Sequence, residues 1–141
     1  MAVMRPGPIA YFEREYVPVE EAKVSIMTHA FNYGTGLFEG IRGYYNAEED
    51  NIFIFRLREH ADRLVRNYNI LCMEVPETLE QLEEICIEVT RRSGFKEDCY
   101  IRPLCYKNEL SLGPAVRGVS SSLCCYVIKL GDYVDTQSGL D

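Results

Sequence analysis

The chain has 141 residues, of which 47% are hydrophobic and 26% are charged, and its formal net charge is −7. These values are typical of one folded domain and exclude a disordered chain. The acidic balance argues against binding to nucleic acid or to an anionic membrane surface. No apolar run reaches the roughly 20 residues that a membrane helix needs.

The first half of the chain predicts short strands. Residues 8–27 mix β-branched, aromatic and charged residues with a period of two, which indicates a hairpin or two short strands. Residues 37–46 and 51–57 are apolar strand candidates, and the polar residues 47–50 separate them as a turn would.

A first helix is predicted over residues 58–71. Its apolar side chains recur at helical spacing and should face the core: Ala61, Leu64, Tyr68 and Leu71. Arg58, Glu59 and His60 at its start could form an acid–base cluster, but at a helix terminus we interpret them as a solvated first turn.

A second helix is predicted over residues 79–94. Thr78 is a suitable N-cap, and Gln81 stands three residues later, which is the spacing of a capping box. Two arginines complement the dipole of the last turn, and Gly94 ends the helix.

Two longer strands follow, over residues 98–106 and 119–130, and residues 107–118 form a loop between them. Strands, then two helices, then strands predict an α+β fold: a largely antiparallel sheet with two helices packed on one face. The polar residues 132–141 are interpreted as the start of a linker.

Six cysteines are spaced irregularly, and no CxxC pair occurs: Cys72, Cys86, Cys99, Cys105, Cys124 and Cys125. Each lies in an apolar stretch, and both histidines are far from any cysteine pair, so zinc spacing is absent. We interpret the cysteines as reduced, buried thiols rather than as disulfides or a metal site. This interpretation favours a cytoplasmic protein.

Three arginines are candidates for binding an anion. Arg63 lies one turn into the first predicted helix, and Arg102 interrupts an apolar strand. Arg42 is the last residue of a segment, residues 29–42, that we call the glycine-rich segment. A buried arginine needs a partner, which is either an internal carboxylate or a carboxylate or phosphate of a ligand. Several tyrosines stand nearby and favour a pocket for an anionic small molecule: Tyr33, Tyr44, Tyr45 and Tyr100.

Three segments, HAFNYGTGLFEGIR (29–42), FRLREHADRL (55–64) and YIRPL (100–104), carry a resemblance to a known family. Together they resemble the N-terminal domain of a branched-chain amino acid aminotransferase, of the D-amino-acid-aminotransferase-like fold. The resemblance extends over essentially the whole chain, and the first segment is its most specific part. It implies a transaminase that exchanges the amino group between leucine, isoleucine or valine and 2-oxoglutarate, in amino-acid biosynthesis, with pyridoxal 5'-phosphate as cofactor.

The resemblance also implies roles for residues around the glycine-rich segment. Arg63 occupies the position of the family's phosphate-binding arginine. Phe38 and Tyr33 occupy positions that line the wall for the substrate side chain, and Gly40 leaves room where substrate or ring atoms approach. Gly34 and Gly36 are expected to serve a turn.

The same pocket must accept glutamate as well as leucine. Arg102 and Tyr100 match family residues that reach the γ-carboxylate of glutamate. Arg42 is compatible both with substrate binding and with a structural ion pair, and the sequence leaves the two open.

The family's catalytic lysine lies in a C-terminal domain, and none of the four lysines of this chain stands in its context: Lys23, Lys96, Lys107 and Lys129. Because this lysine is required for the reaction, the resemblance implies that the chain alone is inactive. Residues 1–131 would then be the N-terminal small domain, and residues 132–141 would begin the interdomain linker.

Other functions remain open from the sequence. A stand-alone binding or assembly module could share the fold without catalysis. D-amino acid aminotransferases and aminodeoxychorismate lyases belong to the wider superfamily but usually lack the form HAFNYGTGLFEGIR. The length of the parent reading frame distinguishes the module from the enzyme.

The loop 107–118 is long for a connection between two strands and carries Leu110, Leu112 and Val116. These side chains either fold back on their own domain or meet another subunit. The resemblance places Leu112 and Gly113 beside the substrate pocket of a neighbouring subunit, and it implies a homodimer or higher homo-oligomer.

Overall fold

The structure is a computed structural model and describes residues 6–130. It contains seven strands and three helices in this order: β1 (Ile9–Phe12), β2 (Glu15–Pro18), α1 (His29–Tyr33), β3 (Gly36–Phe38), β4 (Ile41–Asn46), β5 (Asn51–Ile54), α2 (Leu57–Ile70), α3 (Leu79–Ser93), β6 (Cys99–Lys107) and β7 (Ser121–Lys129). Residues 132–141, expected to begin a linker, lie outside the described residues. No helix within residues 6–130 is long and apolar enough to cross a membrane.

All strands belong to one sheet in which neighbouring strands run antiparallel. The order is β2-β1-β7-β6-β4-β5, and β3 also pairs with β6. The predicted α+β fold with a largely antiparallel sheet is therefore confirmed. The hairpin predicted near the N-terminus is β1–β2, and its turn places Glu13 and Arg14 at φ of 49° and 68°.

The strand predicted over residues 37–46 is divided into β3 and β4. Both halves keep the same register against β6, since Phe38 pairs with Leu104 and Ile41 pairs with Ile101. Glu39 N–H donates to the Pro103 carbonyl at 3.1 Å, but Pro103 has no N–H to return. The missing donor explains why the ladder is interrupted between the two halves.

The two long helices begin and end almost where the sequence predicts. The Thr78 hydroxyl accepts from the Gln81 N–H at 3.2 Å, and the Gln81 side chain accepts from the Thr78 N–H at 2.9 Å, so the capping box is present. Gly94 follows α3 at φ 65°. Three of the four predicted core residues of α2 are buried: Ala61, Leu64 and Tyr68.

The sheet has two different faces. Alternate residues of β6 and β7 form the core with α2 and α3, and the fully buried ones include Cys99, Ile101, Cys105, Cys125 and Val127. We call this the covered face. The intervening residues of β6 and β7, with the residues of β3 and β4 on the same side of the sheet, point away from the helices. They form what we call the open face: Phe38, Arg42, Tyr44, Tyr100, Arg102, Leu104, Cys124 and Tyr126.

The cysteines are free thiols, and four of them are buried as predicted: Cys86, Cys99, Cys105 and Cys125. Burial raises the pKa of Cys99 to about 11, which keeps this side chain protonated. The prediction is wrong for Cys72, which is exposed just after α2 at φ 51°.

The glycine-rich segment contains a short helix, α1, that the sequence did not predict. Gly34 ends this helix in the left-handed region at φ 66° and therefore serves a turn, as expected. Gly36 does not, since it is the first residue of β3.

Candidate functional site

The open face gathers an arginine and several aromatic rings. The Arg102 guanidinium lies 4.1 Å from the centre of the Phe38 ring and 5.0 Å from that of Tyr100. One of its terminal nitrogens, Nη2, donates to the Tyr100 hydroxyl at 2.9 Å. Residues 100 and 102 meet in this way because side chains two apart on a strand share a face.

Arg102 Nε is buried and has no hydrogen-bond partner within the described residues. A buried donor without an acceptor is costly, and no carboxylate of residues 6–130 forms an ion pair with this guanidinium. The internal ion pair considered for Arg102 is therefore absent from the described part of the chain. The arrangement offers donors to an anion beside an apolar ring.

Gly40 borders the same cluster. A Cβ built on this glycine would overlap the Tyr100 hydroxyl and lie 2.9 Å from Tyr100 Cζ. The space that the sequence left for substrate or ring atoms is therefore occupied by Tyr100 of the same chain. Glycine at position 40 allows the Tyr100 phenol to approach the backbone closely where it accepts from Arg102.

Arg63 lies on α2 and is held by a carboxylate. Its Nε and Nη2 donate to the two oxygens of Glu39, both at 2.6 Å. His60 Nδ1 is 2.9 Å from Glu39 Oε2, so the buried carboxylate joins two side chains of α2 to the break between β3 and β4. His60 is therefore not part of a solvated first turn.

The environment of Glu39 favours the charged carboxylate. Burial alone would raise the pKa, but the hydrogen bonds from Arg63 and His60 outweigh burial, and the pKa lies below its ordinary value of 4.5. The Arg63 side chain remains 56% exposed. Its Nη1 has no partner among the described residues, so the fixed guanidinium still presents donors to solvent.

Arg42 is exposed on β4, where it pairs with Tyr100 in the register. It forms no salt bridge with any residue in the range 6–130. Tyr33 ends α1, is 41% exposed, and lies with its ring centre 4.7 Å from that of His29. An apolar groove of about 600 Å³ connects α1 with the open face, and its lining includes Phe31, Phe38, Leu104 and Tyr126.

Comparison with known proteins identifies the family. The family model described as Amino-transferase class IV matches residues 36–137. This chain belongs to the class IV aminotransferase family. The match includes the strands β3–β7, both long helices and the Arg63 and Arg102 sites.

Several proteins named as branched-chain-amino-acid aminotransferases are similar over nearly the whole of this chain. A probable branched-chain-amino-acid aminotransferase of Aquifex aeolicus is 45% identical over 131 residues, which are 93% of this chain and 42% of that protein. The branched-chain-amino-acid aminotransferase of Escherichia coli K12 is 34% identical over 91% of this chain and 41% of its own length. The chain thus spans about two fifths of these relatives.

Solved structures of branched-chain aminotransferases have the same fold over this chain. The branched-chain aminotransferase of Thermoproteus uzoniensis with norvaline has a TM-score of 0.84 at 40% identity, over 92% of this chain and 43% of that chain. The T.th. branched-chain amino acid aminotransferase complexed with N-(5'-phosphopyridoxyl)-L-glutamate has a TM-score of 0.80 at 38% identity, over 91% and 42% of the two chains.

Some residues near the site were not singled out from the sequence. Tyr126 pairs with Arg102 across β6 and β7 and lies on the open face, and burial raises its pKa although Arg102 opposes the shift. Glu39 was missed, and His60 was interpreted as part of a solvated turn, because the contact between them joins residues that are distant along the chain. The available signal for a buried carboxylate was a glutamate followed by glycine, Glu39, inside the predicted apolar strand 37–46.

The loop after β6 exposes its apolar side chains. Leu110 is 58% exposed, Leu112 is 78% exposed and Val116 is 36% exposed. They do not fold back on the described domain, which was one of the two alternatives. The Gly113 carbonyl accepts from His29 Nε2 at 2.9 Å, so the loop lies against the start of α1.

Proposed function

We propose that this chain supplies one part of the active site of a branched-chain amino acid aminotransferase. The whole enzyme would exchange the amino group between leucine, isoleucine or valine and 2-oxoglutarate in amino-acid biosynthesis in the cytoplasm. The Arg102 cluster is the observation that carries the proposal. It joins an apolar ring to a buried donor without a partner among the described residues, which suits a site that takes both an apolar side chain and a carboxylate.

The residues present fit pyridoxal 5'-phosphate in one respect. Arg63 is fixed by Glu39 through two nitrogens and keeps exposed N–H groups that can donate to a phosphate. The relative complexed with a phosphopyridoxyl compound supports the same cofactor here. When bound, pyridoxal phosphate supplies the electron sink of amino-group transfer, while the protein holds and orients it.

Substrate recognition is assigned to the open face and to the adjoining helix α1. Phe38 and Tyr33 would contact the apolar side chain of leucine, isoleucine or valine, and Gly40 would keep Tyr100 close to the strand. Arg102 and Tyr100 would meet the γ-carboxylate of glutamate. The complexes of the T.th. enzyme with a glutamate derivative and with 4-methylvaleric acid, a branched apolar acid, support this double capacity.

Arg42 is a second candidate for contact with a substrate anion. Its exposure on the open face and its lack of an ion pair among residues 6–130 favour this role over the structural ion pair that the sequence also allowed. We place it after Arg102 because its guanidinium is exposed to solvent, whereas Arg102 Nε is buried without an acceptor among the described residues.

We further propose that residues 1–131 form the small domain of this enzyme, followed by a domain with the catalytic lysine, and that the enzyme is a homodimer. The relatives are more than twice as long as the segment that matches them, which supports the second domain. Leu112, which is exposed, and Gly113 would lie beside the partner's substrate pocket. Exposed apolar residues of this loop support such a contact.

Replacement of Arg102 in the full-length enzyme tests the proposal. Arg102→Ala should lower kcat/KM for glutamate far more than kcat/KM for leucine, because only glutamate brings a second carboxylate. A charge-assisted bond contributes about 1.5–3 kcal/mol, so a tenfold to hundredfold loss for glutamate is expected. Equal losses for both substrates would mean that Arg102 is structural, and the 1–141 chain alone should show no turnover.

Replacement of Arg63 tests the cofactor site separately. Arg63→Ala should weaken pyridoxal phosphate binding about tenfold to hundredfold for the same physical reason. Arg66→Ala, on the same helix, is the matched control. An unchanged cofactor dissociation constant in Arg63→Ala would contradict the assignment.

A further inference from the structure

His29 is a fully buried polar side chain that joins two segments. It is the first residue of α1, and its exposed fraction is 0%. Its Nδ1 lies 2.8 Å from the Thr35 hydroxyl oxygen, in the glycine-rich segment, and its Nε2 lies 2.9 Å from the Gly113 carbonyl oxygen, in the loop after β6.

The chemistry of these partners assigns the proton on the ring. A carbonyl oxygen accepts only, so Nε2 must carry the hydrogen that is donated to Gly113. With the ring hydrogen on Nε2, an unprotonated Nδ1 accepts from the Thr35 hydroxyl. Both nitrogens are satisfied, which a buried imidazole requires.

The hydrogen bond from His29 to Gly113 lies beyond the base of the loop. The base of the loop is fixed by other contacts, since His29 N–H donates to the Glu109 carbonyl at 2.9 Å and Thr28 forms a bridge with Leu110. For residues 111–118, no other hydrogen bond to the remainder of the described chain is present. The exposed Leu112 therefore depends on the bond to Gly113 for its position.

The same ring contacts a second candidate recognition residue. The ring centres of His29 and Tyr33 are 4.7 Å apart at an interplanar angle of 43°. One buried side chain thus contacts Tyr33 through its ring face and the residue after Leu112 through Nε2. A change at His29 would move both.

We propose that His29 is a positioning residue that fixes residues 111–118 against α1. It thereby sets how this chain presents Tyr33 to the substrate side chain and Leu112 to the substrate pocket of the partner subunit. The recognition part rests on the proposed function. The structural part does not, because it follows from the contacts of His29 alone.

Two substitutions test the roles of the two ring nitrogens separately. His29→Gln places an amide N–H near the position of Nε2 and can still donate to Gly113. His29→Asn is shorter, so its amide reaches the position of Nδ1 but not Gly113. Both variants lose the contact with the Tyr33 ring, so their difference reports the bond to the loop.

Amide hydrogen exchange over residues 111–118 in the full-length protein is the measurement. One hydrogen bond contributes about fivefold to tenfold to a local opening equilibrium, so exchange in His29→Asn should be faster by that factor. His29→Gln should recover most of the protection. Equal exchange rates in the two variants would overturn the proposal.

Thr35 provides an independent pair if His29→Asn does not fold. Thr35→Val removes the hydroxyl that holds Nδ1, and Thr35→Ser keeps it. Faster exchange of the loop in Thr35→Val than in Thr35→Ser supports the proposal, and equal rates contradict it.

Steady-state kinetics separate this proposal from the proposed function. His29→Asn should raise KM for leucine about threefold to tenfold with a smaller change in kcat, and His29→Gln should recover the lower KM. A protein that keeps the exchange difference but does not turn over leucine would contradict the proposed function alone. An active transaminase with equal exchange in both variants would contradict the role of His29 alone.

Discussion

The two faces of the sheet are built from the same strands but differ in what they require. On the covered face, Ile101 and Val127 pack with Leu64 of α2 in one core, where Ile101 and Leu64 are 0% exposed. On the open face, Phe38 is 52% exposed and Tyr44 is 42% exposed. Burial of apolar area stabilises the fold, so the covered face accounts for folding, whereas the open face leaves apolar surface in water.

The open face also keeps a polar group that a stable fold would satisfy. Arg102 Nε has no acceptor among the described residues, although the neighbouring Nη2 is bonded to Tyr100. Unsatisfied groups of this kind are expected where a ligand supplies the missing partner. The difference between the faces therefore separates residues that fold the domain from residues that we propose for binding.

The largest predicted difference comes from truncating one apolar residue on each face. Leu64→Ala leaves a cavity in the core and should lower the free energy of unfolding by about 2–5 kcal/mol. Phe38→Ala removes a half-exposed ring and its contact with Arg102, and should cost about 1 kcal/mol or less. Urea unfolding of the 141-residue chain measures both, and similar losses would contradict the distinction.

A second test places the same methyl group on each face. A Cβ at Gly43 would lie 2.7 Å from Cys99 Sγ and 2.8 Å from Ile52 Cγ2 on the covered face. Because those atoms are packed in the core, Gly43→Ala should destabilise by about 1–3 kcal/mol. Gly40→Ala meets the Tyr100 phenol, which can move toward solvent, so its loss should be smaller. A larger loss in Gly40→Ala would show that Tyr100 is held rigidly.

Much of the fold follows from local patterns in the sequence. The capping box at Thr78, the helical spacing of Ala61, Leu64 and Tyr68, and the alternation along β6 each depend on a few neighbouring residues. The short helix α1 does not, because five residues cannot form a stable helix without tertiary contacts. Its first residue is held by the loop after β6, far away in the sequence.

The candidate site, like the fold, was predictable from the sequence only where a contact depends on neighbouring residues. Tyr100 and Arg102 share a face because they are two apart on a strand, so their contact follows from the sequence. The partner of Arg63 does not, since Glu39 precedes it by 24 residues. The overlap at Gly40 likewise needs the register between β4 and β6, which no local pattern determines.

The carboxylate of Glu39 joins α2 to the break between β3 and β4 and predicts a pH dependence. The folded-state pKa is lowered below 4.5 because hydrogen bonds from Arg63 and His60 outweigh burial. The ionised Glu39 carboxylate therefore stabilises the fold fully above the pKa of the unfolded state, and this stabilisation is lost as the pH falls through the pKa of the folded state. Glu39→Gln should remove this contribution at pH 7. The resulting loss of unfolding free energy should be smaller than the loss in Leu64→Ala. The difference in unfolding free energy between parent and variant should shrink as the pH falls below about 4.5.

Glu59→Gln is the matched control, since Glu59 pairs with Arg56 on the exposed surface of α2. Its substitution should change stability little at any pH, because exposed ion pairs contribute little. A difference for Glu39→Gln that stays constant from about pH 7 to about pH 3 would contradict the assigned ionisation.

The smallest predicted effect concerns one hydroxyl on the open face. Tyr100→Phe removes the acceptor of Arg102 Nη2, and a hydrogen bond of this kind contributes about 0.5–1.5 kcal/mol. Because Tyr100 and Arg102 are half-buried, water can replace the lost acceptor, and the change in unfolding free energy should lie at the lower end of that range. Tyr44→Phe is the control, since the Tyr44 hydroxyl makes no hydrogen bond within residues 6–130. If Tyr100→Phe destabilised the chain as much as Leu64→Ala, the open face would contribute to folding as the covered face does, and the separation of the two roles would fail.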